Sequence, residues 1–125
     1  MKIFIAASYS KKVSVWEAAE ILESRGHDVV STWHQEIYLP TVQLGELADD
    51  ALRDLAVRDI KELSSCDALV FFAEPQENQP PRGGRHVEFG IALALGKRVI
   101  VIGKAENLFH YWPKVEVVDS LDRIV

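Results

Sequence analysis

Two near-continuous apolar runs, ALVFFA at 68–73 and RVIVI at 98–102, constrain this chain more than anything else in it. Neither alternates with polar residues as a half-exposed strand would. Each therefore reads as a strand covered on both faces. Between them lie a polar loop rich in proline and glycine (Glu74–Arg85) and an apolar segment at helical spacing (Val87–Leu95) that Gly96 closes. Two doubly buried strands joined by a helix form a parallel βαβ unit, because a hairpin cannot join parallel neighbours.

The rest of the chain repeats this rhythm. Lys2–Ala7 reads as the first strand and Val13–Arg25 as a helix with Val15, Trp16, Ala19, Ile21 and Leu22 near helical spacing, stopped by Gly26. Asp28–Trp33 reads as strand 2. Ile37–Val42, with Pro40, reads as loop, and Leu44–Leu63 as a long amphipathic helix. Val115–Val118 is a candidate fifth strand, followed by a short terminal segment, Leu121–Val125. Alternating strands and helices give one α/β domain over 1–125, a three-layer sandwich with a five-stranded parallel sheet. For five strands the expected winding is the flavodoxin-like order 2-1-3-4-5, with ligands beyond the carboxyl ends of the strands. Three loops converge there: Ser8–Lys12, Glu74–Arg85 and Gly103–Phe109.

The totals narrow the function. Fourteen basic and nineteen acidic residues leave a net charge of −5, which suits neither nucleic acid nor an anionic membrane as partner. Cys66 is the only cysteine, so no internal disulfide can form, and a reducing compartment fits. The amino-terminal MKIFIAASYS is too short and too polar past Ala7 for a secretory signal, and no apolar run reaches the ~20 residues that span a bilayer. A cytoplasmic protein is expected. His27, His34, His86 and His110 show no metal-ligand spacing, and neither metal nor other cofactor is expected.

Four stretches, in order, resemble the nucleoside 2-deoxyribosyltransferase family, which also includes nucleoside 5′-monophosphate N-glycoside hydrolases. They are IFIAASYS, RDIKELSSCDALVFF, GGRHVEFGIALALGKRVIVIG and ENLFH, and together they span nearly the whole chain. The third is the most specific, since a Gly-rich loop, an acid, a small-residue helix and Gly-Lys all fall at the family's spacing. The resemblance implies cleavage of the N-glycosidic bond of a 2′-deoxynucleoside or its 5′-monophosphate through a covalent glycosyl-glutamate. The sugar then passes to another nucleobase or, alternatively, to water. The partners it implies are small molecules, a nucleoside or nucleotide and a nucleobase.

The resemblance also assigns roles. Glu88 is the nucleophile. A first-turn position on its helix would keep it ionised beside backbone N–H groups and the positive dipole end, as attack on an oxocarbenium-like centre requires. The plainer alternative is an acid that only decorates a helix start. Gly83 and Gly84 would let backbone approach a sugar. Asp59, eight residues before Asp67, would handle the proton on the departing base or hold the sugar; otherwise it is a helix charge paired with Arg58 or Lys61. Asp67 reads as a strand cap. Tyr9 would orient the nucleophile, or is a half-buried surface tyrosine. Ser8, Ser10, Lys11 and Lys12 suit either a 5′-phosphate or a polar turn with a helix cap from Ser10 or Ser14.

Arg82, Arg85 and His86 offer a phosphate clamp or solvated loop charges. Trp33 stacks on a base or packs in the core. Asn107 and Phe109 resemble residues that close the pocket from a neighbouring subunit, or else start a helix and anchor packing. Cys66 reads as an inert small residue. A homo-oligomer, dimer or larger, is expected because so small a domain has little wall to close a pocket.

Two other functions compete. A receiver domain needs a phospho-acceptor aspartate at the end of strand 3, and ALVFFAE lacks one. A non-catalytic flavin or nucleotide binder needs a phosphate loop, and AASYSKK has neither the flavodoxin spacing nor Walker or G-x-G-x-x-G glycines.

Overall fold

The computed structural model describes residues 1–35, 49–75 and 83–125. Strands β1 (Lys2–Ala6), β2 (Asp28–Val29), β3 (Ala68–Phe72), β4 (Arg98–Ile102) and β5 (Val115–Val118) form one parallel sheet in the order β2-β1-β3-β4-β5. Helices α1 (Lys12–Ser24), α2 (Asp49–Ser65) and α3 (Gly84–Ala94) cover it. The winding is the one the apolar runs implied. The inner strands β1, β3 and β4 carry the largest buried side chains, among them Phe4, Phe71, Ile5, Leu69 and Ile100. Asp67 caps the sheet at its entry, where its Oδ2 accepts the Lys2 N–H at 2.8 Å.

Strand 2 is shorter than Asp28–Trp33. After Val29 two buried side chains take over the ladder on β1. Ser31 Oγ accepts the Ile5 N–H at 2.9 Å, and the Trp33 indole Nε1 donates to the Ile5 carbonyl at 2.7 Å. The backbone groups of Ile5 are thus satisfied without a partner strand, and the chain turns into a 3-10 turn at Trp33–Gln35. Trp33 lies past the strand, in the core.

Helix α1 buries Val15, Ala18, Ala19 and Leu22, while Trp16 and Ile21 face out. No serine caps it. Tyr9–Lys11 forms a 3-10 turn that runs directly into the helix, so Lys11 takes the cap position without a side-chain bond. Helix α2 buries Leu63 alone among its described side chains and leaves Val57 and Ile60 exposed. The expected loop at 37–42, the expected helical residues 44–48 and the loop residues 76–82 lie outside the described residues.

Helix α3 starts three residues before the expected Val87, and Gly83 and Gly84 are its cap and first residue. Glu88 therefore stands in the second turn. The correction has a physical reason: Gly84, Arg85 and His86 break the apolar spacing, but Arg85 is buried and belongs to the packed face. The helix ends at Gly96, whose φ of +73° is the left-handed stop that a side chain resists.

Candidate active site

The carboxyl ends of β1, β3 and β4 are bound together by side chains. Glu74, two residues past β3, is buried. Its Oε1 accepts the Ser8 hydroxyl proton at 2.9 Å, tying the loop after β1 to the loop after β3. Ser10 Oγ lies 2.9 Å from Ser8 Oγ, and Lys11 Nζ lies 3.9 Å from Glu74 Oε2.

Glu106, in the loop after β4, is the second hub. Its Oε2 accepts the Glu74 N–H at 3.0 Å and one Arg85 NH group at 2.5 Å, and its Oε1 accepts the other NH group at 2.6 Å. Both side chains are withdrawn from water, 2% exposed for Arg85 and 5% for Glu106. This fork-to-fork pair fixes the first turn of α3 against the ends of β3 and β4. Arg85 is thus neither a solvated loop charge nor a loop residue. Its guanidinium also lies over the Phe71 ring, 5.0 Å from the centroid.

Beneath the pair is an aromatic and histidine floor. His110 Nδ1 accepts the Glu106 N–H at 3.0 Å, so the ring proton sits on Nε2. Its ring packs against Phe71 and Phe89, with centroids at 4.9 and 4.7 Å. Burial pushes the His110 pKa down, opposed by Glu106 and reinforced by His86 and Arg85. His86 is lowered by burial first and by Arg85 second, against the pull of Glu106.

The other expected site residues fall as follows. Glu88 lies one turn beyond Arg85 on α3, and the i,i+3 spacing sets the two on neighbouring sides of the helix. Asp59 lies on α2 and receives Arg58 Nε at 3.2 Å and NH2 at 2.9 Å on Oδ1, the local pairing that the plainer alternative described. Tyr9 is half-buried at the rim, its ring tilted against Trp33 with centroids 6.1 Å apart and Lys12 Nζ 5.8 Å from its own centroid. Gly83 and Gly84 are exposed, with open space where a Cβ would stand.

Asn107 caps a 3-10 turn at Leu108–Tyr111, accepting the Phe109 N–H at 2.9 Å. Phe109 is exposed, as are Leu108, Tyr111 and Trp112. Cys66 is buried, donates its thiol to the Leu63 carbonyl at 3.1 Å, and has its pKa raised chiefly by burial. A cleft of about 680 Å³ beside β5 is lined by Lys104, His110, Tyr111, Trp112, Val115 and Val117 among others, with no acid among its described lining residues. It meets the polar cluster at His110.

Sequence reasoning missed Glu74 and Glu106. The usable signal was present: each is an acid within four residues of the carboxyl end of an inner strand. That is where a doubly wound sheet builds sites.

Fold and rim together define a flavodoxin-like α/β protein with an acid-lined carboxyl edge. No protein-family model matches the sequence, and no curated protein matches it. The structure is similar to that of the CMP N-glycosidase BcmB from Clostridium botulinum, with a TM-score of 0.59 and 20% sequence identity over 98% of this chain and 93% of that chain. At that identity the likeness shows a shared fold. Among the described residues, no helix is long and apolar enough to cross a membrane.

Proposed function

We propose that this protein is an enzyme that cleaves the N-glycosidic bond of a nucleoside or its 5′-monophosphate. The observation that supports it best is the buried Arg85–Glu106 clamp, which fixes the first turn of α3, one turn before Glu88, at the ends of β3 and β4. The likeness in fold to a CMP N-glycosidase over nearly the full length of both chains points the same way.

In the proposed reaction a Glu88 carboxylate oxygen bonds to C1′ as the C1′–N bond breaks. The bonding pair leaves with the base, and Asp59 supplies or manages the proton that the base nitrogen takes up. Water then attacks C1′ from the vacated face, passes a proton to the Asp59 carboxylate and releases Glu88, so that configuration is retained. Transfer to a second base, whose nitrogen replaces water, is the companion reading carried by the sequence resemblance. Tyr9 forms the wall beside the sugar with the core residue Trp33 packed behind it, Ser8 and Ser10 contact the sugar, Gly83 and Gly84 give it room, and Arg85 acts as a positioning residue. Asn107 and Phe109 close the pocket of a second subunit in a cytoplasmic homo-oligomer, in which the exposed Leu108, Phe109 and Tyr111 become covered.

Incubation with the four 2′-deoxynucleosides and their 5′-monophosphates, with and without an added free base, tests the reading by product chromatography. Free base plus free sugar indicates hydrolysis, and base exchange indicates transfer. No base release from any of the eight compounds would sink it. A monomeric mass by light scattering would remove the shared pocket.

A further inference from the structure

The crossover from β4 to β5 is built differently from the one before it. Between β3 and β4 the chain forms α3, eleven residues long and packed on both strands. Between β4 and β5 it forms a four-residue 3-10 turn, Leu108–Tyr111. A strand of a parallel sheet is ordinarily covered on both faces. Here Val115 and Val117, which alternation sets on one face of β5, line an open cleft of about 680 Å³. Val117 stays 45% exposed.

The lining has the make-up of a ligand site. Small-molecule pockets are mostly apolar and aromatic with a few polar groups, and run to about 300–1,000 Å³. The two valines supply an apolar floor, and Tyr111 and Trp112 leave large rings 74% and 52% exposed. Lys104 adds an ammonium group. His110, itself buried, also lines the cleft. Its Nδ1 is committed to the Glu106 N–H, while its Nε2–H is buried with no partner among the described residues. The positive end of that dipole favours negative charge nearby. The cleft lies two strands from β3, about 10 Å at the usual strand spacing, and so stands apart from the rim between β1 and β3.

We propose that this cleft is a second binding site, and that its ligand is a planar aromatic carboxylate. The ring stacks on Trp112 and covers Val115 and Val117, and the carboxylate meets Lys104. The site is independent of the N-glycosidic reading, since it uses none of the residues placed at the sugar. Tyr111, which the proposed oligomer covers, is not required for it.

The test is a magnetic-resonance titration of nitrogen-labelled protein with three probes: 2-naphthoate, neutral 2-naphthamide and the saturated decahydro-2-naphthoate. The three tryptophans are the reporters. Trp112 lines the cleft, Trp16 is exposed on α1, and Trp33 is hydrogen-bonded in the core. 2-Naphthoate should shift the Trp112 indole N–H saturably and leave those of Trp16 and Trp33 in place. It should bind about fivefold tighter than the amide, the upper end for one exposed ion pair, and Lys104→Gln should erase that difference. Trp112→Leu, followed at the Val115 and Val117 amides, should weaken 2-naphthoate roughly threefold to tenfold, the worth of one aromatic contact. The saturated probe should lose a similar factor against the wild type. Both substituted positions are exposed, and an unchanged melting temperature certifies folded protein.

Equal binding of acid and amide, a Trp16 shift as large as that of Trp112, or an affinity unmoved by either substitution overturns the proposal. So does the absence of a saturable shift with any probe. Loss of 2-naphthoate binding as the protein is concentrated would give the cleft to a second copy of the chain and overturns it as well.

Discussion

Replacing Glu106 by alanine should be among the most damaging single changes in this protein. The substitution leaves the Arg85 guanidinium, 2% exposed, without the carboxylate that receives both of its NH groups. Breaking a buried ion pair from one side costs about 3–5 kcal/mol, because the surviving charge remains desolvated. The Glu74 N–H loses its acceptor as well, which adds about 1 kcal/mol. Against a typical stability of about 5–15 kcal/mol this is a third or more of the total. For a chain of 125 residues it corresponds to a fall in Tm of roughly 15–23 °C.

The assay is guanidinium denaturation of wild type, Glu106→Ala, Arg85→Met and the double variant Arg85→Met/Glu106→Leu. Each single variant should be strongly destabilised. The double variant should recover most of the loss, since two apolar side chains of similar volume need no solvation. A loss below about 1 kcal/mol for Glu106→Ala would refute the reasoning, because it would mean that water reaches the guanidinium and the pair behaves like a surface one.

Three further outcomes are expected. Glu88→Gln should lower base release by at least about a thousandfold, as loss of a covalent nucleophile does, while Tm moves little at this half-buried position. Stability should fall with acid in a histidine-specific window. Burial lowers the folded pKa of His34 and His110 below 6.5, so the unfolded chain binds protons first, and stability is lost as pH drops from about 6.5 towards the lowered values. The slope contributed by each is at most about 1.4 kcal/mol per pH unit, and His110→Asn, which keeps an acceptor for the Glu106 N–H, should flatten urea-derived ΔG between pH 6.5 and 5. Gly103→Ala should cost about 1–3 kcal/mol by thermal denaturation, since Gly103 has φ +112° and an added Cβ would stand 3.2 Å from that of Ala73. An unchanged melting temperature there would mean that the loop after β4 relaxes freely.

The sequence alone determined the frame of this protein. Apolar runs such as VFF and VIVI leave a strand no stable place except between two layers, so β3 and β4 fall at Ala68–Phe72 and Arg98–Ile102, and β5 at Val115–Val118, within a residue of where the pattern put them. Short-range periodicity carries that information because burial follows side-chain spacing. It failed at Trp33, where the indole and Ser31 hydroxyl substitute for a strand, and at Gly84–His86, where a buried arginine joins a helix that polarity had trimmed. Both failures share one cause: a polar group was judged by its own hydrophobicity, while its burial depended on a partner distant in the chain. Glu106 is buried because Arg85 meets it 21 residues away, and Glu74 because Ser8 meets it 66 residues away. Only the tertiary structure brings such pairs together, since an acid at the end of a strand is solvated or buried according to what the neighbouring strand's loop presents to it.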